Sequence, residues 1–233
     1  MPVLTTIFNG NPNVGLAGYC AMANGKRLCL LGERLHKEEQ DEIAAALGAE
    51  VQHLTIAGTP MPGVFLAGNS HALLVPGIAF HQEIDLLKRL CLPVHVFETG
   101  LTCLGNNLVA NDQGCIASPD FTAAELKRLE KLLKVPVKKL RIAGLDTPGA
   151  CLVLNGEKGV IHRDASEEEI ATVKEVLGLG SLEAASVGLG SPYVRAGVLA
   201  NDHGFVVSSQ SGGPEIVHIE QSLGYLEKKG RGA

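Results

Sequence analysis

Apolar and polar positions follow one order that recurs along this chain. A short apolar run meets a polar turn and a second apolar run. An amphipathic stretch follows, then a third apolar run that ends on Gly. The clearest copy spans residues 104–121, where Leu108-Val109-Ala110 and Cys115-Ile116-Ala117 flank the turn Asn111-Asp112-Gln113-Gly114. Asn and Gly supply the left-handed backbone angles of a hairpin turn, and Pro119 forbids pairing beyond the second strand. Related turns stand at Asn24-Gly25, Asn69-Ser70-His71, Asn155-Gly156 and Asn201-Asp202-His203-Gly204, each before an apolar run.

These patterns predict a strand at 4–8, a Gly/Asn/Pro-rich turn at 9–15, and a hairpin pairing 16–22 with 28–31. Further hairpins are expected at 64–76, 108–117, 150–162 and 194–208. Helices are expected at 37–47 and 80–90, from 122, from 166 to 177, and at 214–223. Thr122 with Glu125, and Ser166 with Glu169, fit capping boxes, in which side chain and backbone satisfy each other's free amides. Strands at 51–57, 94–98, 137–143 and 182–187 run into Gly58, Gly100, Gly144 and Gly188.

The turn asparagines lie at 24, 69, 111, 155 and 201, spaced by 45, 42, 44 and 46 residues. The strand-ending glycines at 58, 100, 144 and 188 are spaced by 42, 44 and 44. A period near 44 signals either an open solenoid or a closed radial array. Units one to four each end in a strand, whereas the fifth ends in its helix. The missing strand is found at the other terminus, where Thr6-Ile7-Phe8-Asn9-Gly10 resembles Leu54-Thr55-Ile56-Ala57-Gly58. The expected fold is therefore α+β, with five quasi-equivalent ββαβ units closed into a ring by the N-terminal strand. Closure removes exposed sheet edges. The expected domain is single, 1–226, with repeats at about 11–58, 59–100, 101–144, 145–188 and 189–226 plus the strand 1–10, and a short tail at 227–233.

Composition narrows the function classes. The 233 residues carry 20 Lys+Arg against 25 Asp+Glu, a formal net charge of −5. That argues against a protein held to nucleic acid by a broad basic face. Aromatic residues make up 4% and Trp is absent, which leaves little for base stacking. The first residues lack a signal-peptide pattern, and no apolar run approaches the roughly 18 residues of a membrane span, so a cytoplasmic protein is expected. The cysteines (Cys20, Cys29, Cys91, Cys103, Cys115 and Cys151) form no CxxC pair, favouring buried, reduced thiols over zinc. No metal and no cofactor is expected.

Five ββαβ units closed by their own N-terminus resemble the pentein fold, and the chain is similar to the translation initiation factor 6 family. The match is carried by Gly68-Asn69-Ser70-His71-Ala72-Leu73-Leu74-Val75-Pro76, Leu104-Gly105-Asn106, Asn111-Asp112, Ser118-Pro119-Asp120 and Ala196-Gly197-Val198-Leu199-Ala200-Asn201-Asp202. It extends in order from about Ile7 to Leu226. The long C-terminal extension of eukaryotic members is missing, so the likeness is to archaeal members. The resemblance implies a monomeric factor that binds the large ribosomal subunit on its intersubunit face. Such a factor blocks joining of the small subunit and takes part in late subunit maturation. The implied partner is a ribosomal protein beside the sarcin–ricin loop, with rRNA contact possible in principle.

The connections after the strand-ending glycines should emerge together at one end of the ring. They are expected to expose Met61-Pro62, Asn106-Asn107 and Pro192-Tyr193. The resemblance places a binding-face residue at Asn106, which makes Gly105, Asn106 and Asn107 the central expected contacts, with Pro62 and Tyr193 outside them. The residues alone also fit Asn106 as a turn residue tolerating positive φ. The five hairpin asparagines read as structural, because a recognition site breaks symmetry. A tail run, Lys228-Lys229-Gly230-Arg231, reads as solvated.

Pentein folds also house deiminases and amidinotransferases with a Cys nucleophile near the C-terminal end. Here no Cys follows Cys151, and His162, His203 and His218 have no thiol beside them in sequence. No HExxH, GxSxG or P-loop is present. The sequence therefore predicts a non-enzymatic factor, with a guanidine-modifying enzyme and a scaffold for some other partner as alternatives.

Overall fold

The computed structural model describes residues 5–8 as backbone, and 18–32, 34–90 and 92–226 in full. The predicted turn at 9–15, Cys91 and the tail at 227–233 lie outside the described residues. The chain opens with β1 (Thr5–Phe8), then β2 (Tyr19–Ala23), β3 (Lys26–Leu31), α1 (Lys37–Leu47) and β4 (Glu50–His53). Unit two comprises α2 (Pro62–Phe65), β5 (Ala67–Gly68), β6 (Leu73–Pro76), α3 (His81–Arg89) and β7 (Val94–Phe97). Unit three comprises α4 (Leu104–Asn107), β8 (Leu108–Ala110), β9 (Cys115–Ala117), α5 (Ala123–Leu133) and β10 (Val137–Lys139). Unit four begins with a 3-10 turn (Pro148–Cys151), followed by β11 (Leu152–Asn155), β12 (Lys158–His162), α6 (Glu167–Leu177) and β13 (Ser181–Ala185). Unit five has α7 (Val194–Gly197), β14 (Val198–Ala200), β15 (Phe205–Ser208) and α8 (Gly213–Ser222).

Five three-stranded sheets result, and they share one plan. The first two strands of a unit pair antiparallel, and the strand after the helix adds in parallel to the second. In unit five the third strand is β1, which runs parallel to β15 from Thr5↔Phe205 to Phe8↔Ser208. The first strand of the chain thus completes the last sheet.

Two sequence expectations need correction. The strands after the helices are shorter than the apolar runs that suggested them: β4 stops at His53, β10 at Lys139 and β13 at Ala185. Beyond them the chain folds back in tight turns. Ile56 bridges Thr59 around Ala57 (φ 51) and Gly58 (φ 72), and Ile142 bridges Leu145 around Ala143 (φ 52) and Gly144 (φ 77). Ile56 and Ile142 are apolar because they are buried, not because they extend a strand. The hairpins of units two, four and five also begin later than expected, at Ala67, Leu152 and Val198, whereas that of unit three spans 108–117 as expected. Pro62 and Pro148 start helical turns, where a fixed φ suits the first helical position and no amide is lost from a ladder.

The apolar core is divided among the junctions between units. Leu28 and Leu30 pack with Leu66, Leu73 and Leu87 of unit two. Leu74 and Phe97 pack with Leu108, Leu129 and Leu133 of unit three. Val109 and Ile116 meet Leu152, Ile161 and Val173 of unit four, and Val153 and Val160 meet Phe205, Val207 and Ile219 of unit five. Leu199 and Val206 of unit five then pack with Cys29, Ile43 and Leu47 of unit one. No unit encloses its own apolar face.

The hairpin asparagines join the same neighbours. Nδ2 of Asn69, Asn111, Asn155 and Asn201 donates to the carbonyls of Leu133, Leu177, Leu223 and Leu47 at 2.8, 2.7, 2.8 and 2.7 Å. Each acceptor lies at the C-terminal end of the next helix, where carbonyls lack helical partners. The Oδ1 of Asn111 accepts from the amides of Gln113 and Gly114, and that of Asn201 from His203 and Gly204. One side chain therefore shapes its own turn and caps its neighbour. Asn24 instead sits exposed at φ 50, in the Asn-Gly turn of unit one.

Both predicted capping boxes form: Glu125 N donates to Thr122 Oγ1 and Glu169 N to Ser166 Oγ, and each Glu carboxylate accepts from the cap amide. The third helical residue also reaches the preceding turn. Glu83 accepts from Thr55 Oγ1 (2.7 Å), Ala57 N (2.8 Å), Gly58 N (3.0 Å) and Phe80 N (2.9 Å). Burial alone would raise its pKa, but the hydrogen bonds outweigh burial and hold it below the ordinary range. A depressed carboxylate stabilises the fold above its unfolded pKa, and the contribution is lost as pH falls through the folded value. Glu83→Gln should therefore cost about 1–3 kcal/mol at neutral pH. The gap from the parent should narrow as pH falls below the ordinary carboxylate value of about 4.3 and close only below the lowered folded value, where Glu83 is protonated in both states. Urea melts at neutral and acid pH check this; a gap independent of pH would contradict it.

Candidate functional site

The first strands of the units converge on a central cavity. Tyr19 and Cys20 of β2, Gly68 of β5, Val109 of β8, Leu154 of β11 and Leu199 of β14 share its wall. A mouth of about 380 Å³, which shares Gly18 and Arg195 with this cavity, is built by the short helical turns α2, α4, Pro148–Cys151 and α7.

The turns are in register. Their third residues, Val64, Asn106, Ala150 and Ala196, all line the mouth, and so do the preceding caps Met61, Thr147 and Tyr193. Their second residues are Gly63, Gly105, Gly149 and Arg195. The glycines permit backbone contact between turns. A Cβ on Gly105 would lie 2.1 Å from the Gly63 carbonyl oxygen, and one on Gly149 would lie 2.2 Å from that of Gly105.

Only part of the predicted contact set reaches this surface. Asn106 is half-buried at the mouth, where it is the sole polar side chain among the four third positions, and Tyr193 is 42% exposed beside it. Pro62, Gly105 and Asn107 are buried, contrary to the exposed loops expected from their composition. Asn107 is held inward because its Nδ2 donates to the Cys103 carbonyl at 2.9 Å, and its own carbonyl accepts from Ser118 N. Tyr193 packs edge-on against His162, with ring centroids 6.0 Å apart. Burial lowers the His162 pKa, so that ring is neutral at pH 7.

Arg195 escaped the sequence reading. Its Nη2 lies 3.4 Å from the Gly63 carbonyl oxygen across the mouth, while Nε is enclosed without a partner. The signal was present: aligning the second positions of the turns shows Gly, Gly, Gly and then Arg.

Among the described residues no cluster of His, Cys, Asp and Glu could hold a metal ion, and no helix is long and apolar enough to cross a membrane. Three of the described thiols, Cys29, Cys115 and Cys151, are buried and poor nucleophiles. A hydrogen bond with Cys20 and burial push Cys29 up, burial raises Cys115 strongly, and burial pushes Cys151 up to about 11.

The eIF-6 family profile matches residues 3–222 of the chain. The chain is 32% identical to Translation initiation factor 6 of Staphylothermus marinus over 227 residues, covering 96% of this chain and 98% of that protein. It is 30% identical to Translation initiation factor 6 of Thermococcus onnurineus, covering 94% and 97%. One solved structure, an agmatine deiminase from C. jejuni, aligns at TM-score 0.44 and 12% identity over 76% of this chain and 66% of its own, too slight a likeness to decide anything.

Proposed function

The chain belongs to the eIF-6 family, and from that premise we propose that it binds the large ribosomal subunit on its intersubunit face and sterically prevents joining of the small subunit. The end-to-end match to factors named for translation initiation carries this reading. We take the chain to act as a cytoplasmic monomer in late subunit maturation. Its partner is a ribosomal protein beside the sarcin–ricin loop, with rRNA at the edge of the contact. A net charge of −5 suits a basic ribosomal protein.

We also read the five sheets as a closed pentein ring. Support comes from β1 completing the last sheet, from unit five packing on unit one, and from one cavity that first strands of every unit line. The contact face is the mouth formed by the helical turns, with Asn106 and Tyr193 at its surface and Gly105, Asn107 and Pro62 as its support. Buried, protonated thiols favour this reading over a guanidine-modifying enzyme, which needs a thiolate.

Tyr193→Ala and Asn106→Ala together should weaken co-sedimentation with purified large subunits about tenfold or more, since exposed aromatic anchors dominate such contacts. The melting temperature should stay close to the parent's. Added protein should also reduce the joined ribosomes on a sucrose gradient, and the double variant should do so less. Parental binding by the double variant would place the contact elsewhere on the molecule.

A further inference from the structure

Arg195 poses a problem that the ribosome reading does not solve. It occupies the position where the equivalent turns carry glycine, and so breaks the repeat at its centre. Its guanidinium faces both the central cavity and the mouth, with Nε sealed from solvent and unbonded. The one hydrogen bond it makes to a described residue is the long contact to the Gly63 carbonyl. The groups that act on it electrostatically are Tyr19 and Cys20. Burial holds the Tyr19 phenol up at about 12, so it is neutral at pH 7.

Arg195 is half-buried overall, but a guanidinium with its Nε enclosed and no carboxylate among the described residues that line its pockets is a costly arrangement. The mouth is furnished to relieve it. Besides Arg195 its polar lining consists of Asn106, Thr147, Ser191 and Tyr193, and no carboxylate is among the residues that line it. These groups donate hydrogen bonds without adding negative charge. A volume of about 380 Å³ holds a tetrahedral oxyanion together with several waters.

We propose that the mouth around Arg195 is a binding site for one small oxyanion of phosphate or sulfate size, held by the guanidinium and by neighbouring amide and hydroxyl donors. Guanidinium groups suit such ligands because two parallel N–H donors match two oxygens. The site shares Asn106 and Tyr193 with the proposed ribosome contact, but phosphate binding is read on the free chain, so its failure and that of the ribosome reading are distinguishable.

The test titrates inorganic phosphate into the full chain at constant ionic strength, with chloride as the balancing anion. The Arg195 Nε–H resonance, assigned with Arg195→Lys, should move saturably to a single-site curve. The melting temperature should rise by about 3–5 °C at tenfold excess over the dissociation constant. Arg195→Gln should lose the phosphate-induced rise while melting no lower than the parent without phosphate, because it deletes a charge that is costly to enclose. Should that variant not fold, Asn106→Ala with Ser191→Ala should weaken phosphate severalfold with Arg195 intact. A resonance unmoved across the titration, or a phosphate-induced rise that persists in Arg195→Gln, overturns the proposal.

Discussion

Gly105→Ala is expected to lower the stability of this protein by about 3 kcal/mol or more, the upper range for overpacking a tight contact. The added methyl would lie 2.1 Å from the Gly63 carbonyl oxygen and 2.7 Å from that of Leu66, so the backbones of α2 and α4 must part. Parting is opposed from the far side, because Gly149 presses on the Gly105 carbonyl in the same way. Alanine gains up to about 1 kcal/mol of helix propensity over glycine, too little to reverse the sign. Urea melts of Gly105→Ala beside Asn106→Ala separate the two roles: the buried glycine should shift the midpoint strongly and the cavity-facing asparagine hardly at all. Equal midpoints would mean that the turns are not in contact. Any loss of ribosome binding by Gly105→Ala should then track the folded fraction.

Removing residues 1–8 is expected to lower the melting temperature of the whole molecule by about 10 °C or more, as a single transition. The deletion takes β1 from β15 over the register Thr5↔Phe205 to Phe8↔Ser208. A ladder of this length contributes about 4 kcal/mol at roughly 1 kcal/mol per hydrogen bond. In a chain of this size each kilocalorie moves the midpoint by about 2–4 °C. Its loss also lays open an edge beside Phe205, Val206 and Val207, all fully buried. The change should spread, because Phe205 and Val207 belong to the junction with unit four and Val206 to the junction with unit one. Calorimetry decides it: a parental midpoint, or a small separate transition over an unchanged main peak, would show that β1 is dispensable.

The repeat was legible because it rests on signals with a period. Turn asparagines recur at fixed intervals and mark hairpins that the structure contains, and the two capping boxes mark helices that it contains. The missing third strand of unit five could likewise be found at the other terminus by simple bookkeeping of strands. The helical turns were not legible, since four residues such as Pro62–Phe65 or Leu104–Asn107 complete barely one period and their Gly and Pro read as loop. That error propagated to the candidate site, where Gly105, Asn107 and Pro62 were expected at the surface and lie beneath it. The asparagines were correctly read as structural, yet their span was hidden. Nothing local tells that the Asn111 side chain ends on the carbonyl of Leu177. Arg195 was missed for a different reason: its neighbours in sequence are unremarkable, and only superposed units expose it as the odd residue.

The pairing of β1 with β15 joins positions 200 residues apart, since Thr5 lies opposite Phe205. During synthesis β1 therefore waits for about 200 further residues before its partner exists. Contacts of such long sequence separation form late, because the loop they close costs entropy that only the finished contact returns. Until then the facing edges of β1 and β15 carry unmatched amides and carbonyls. Closure of the β1–β15 pair, rather than the folding of any one unit, is therefore expected to be a late step in reaching the final form.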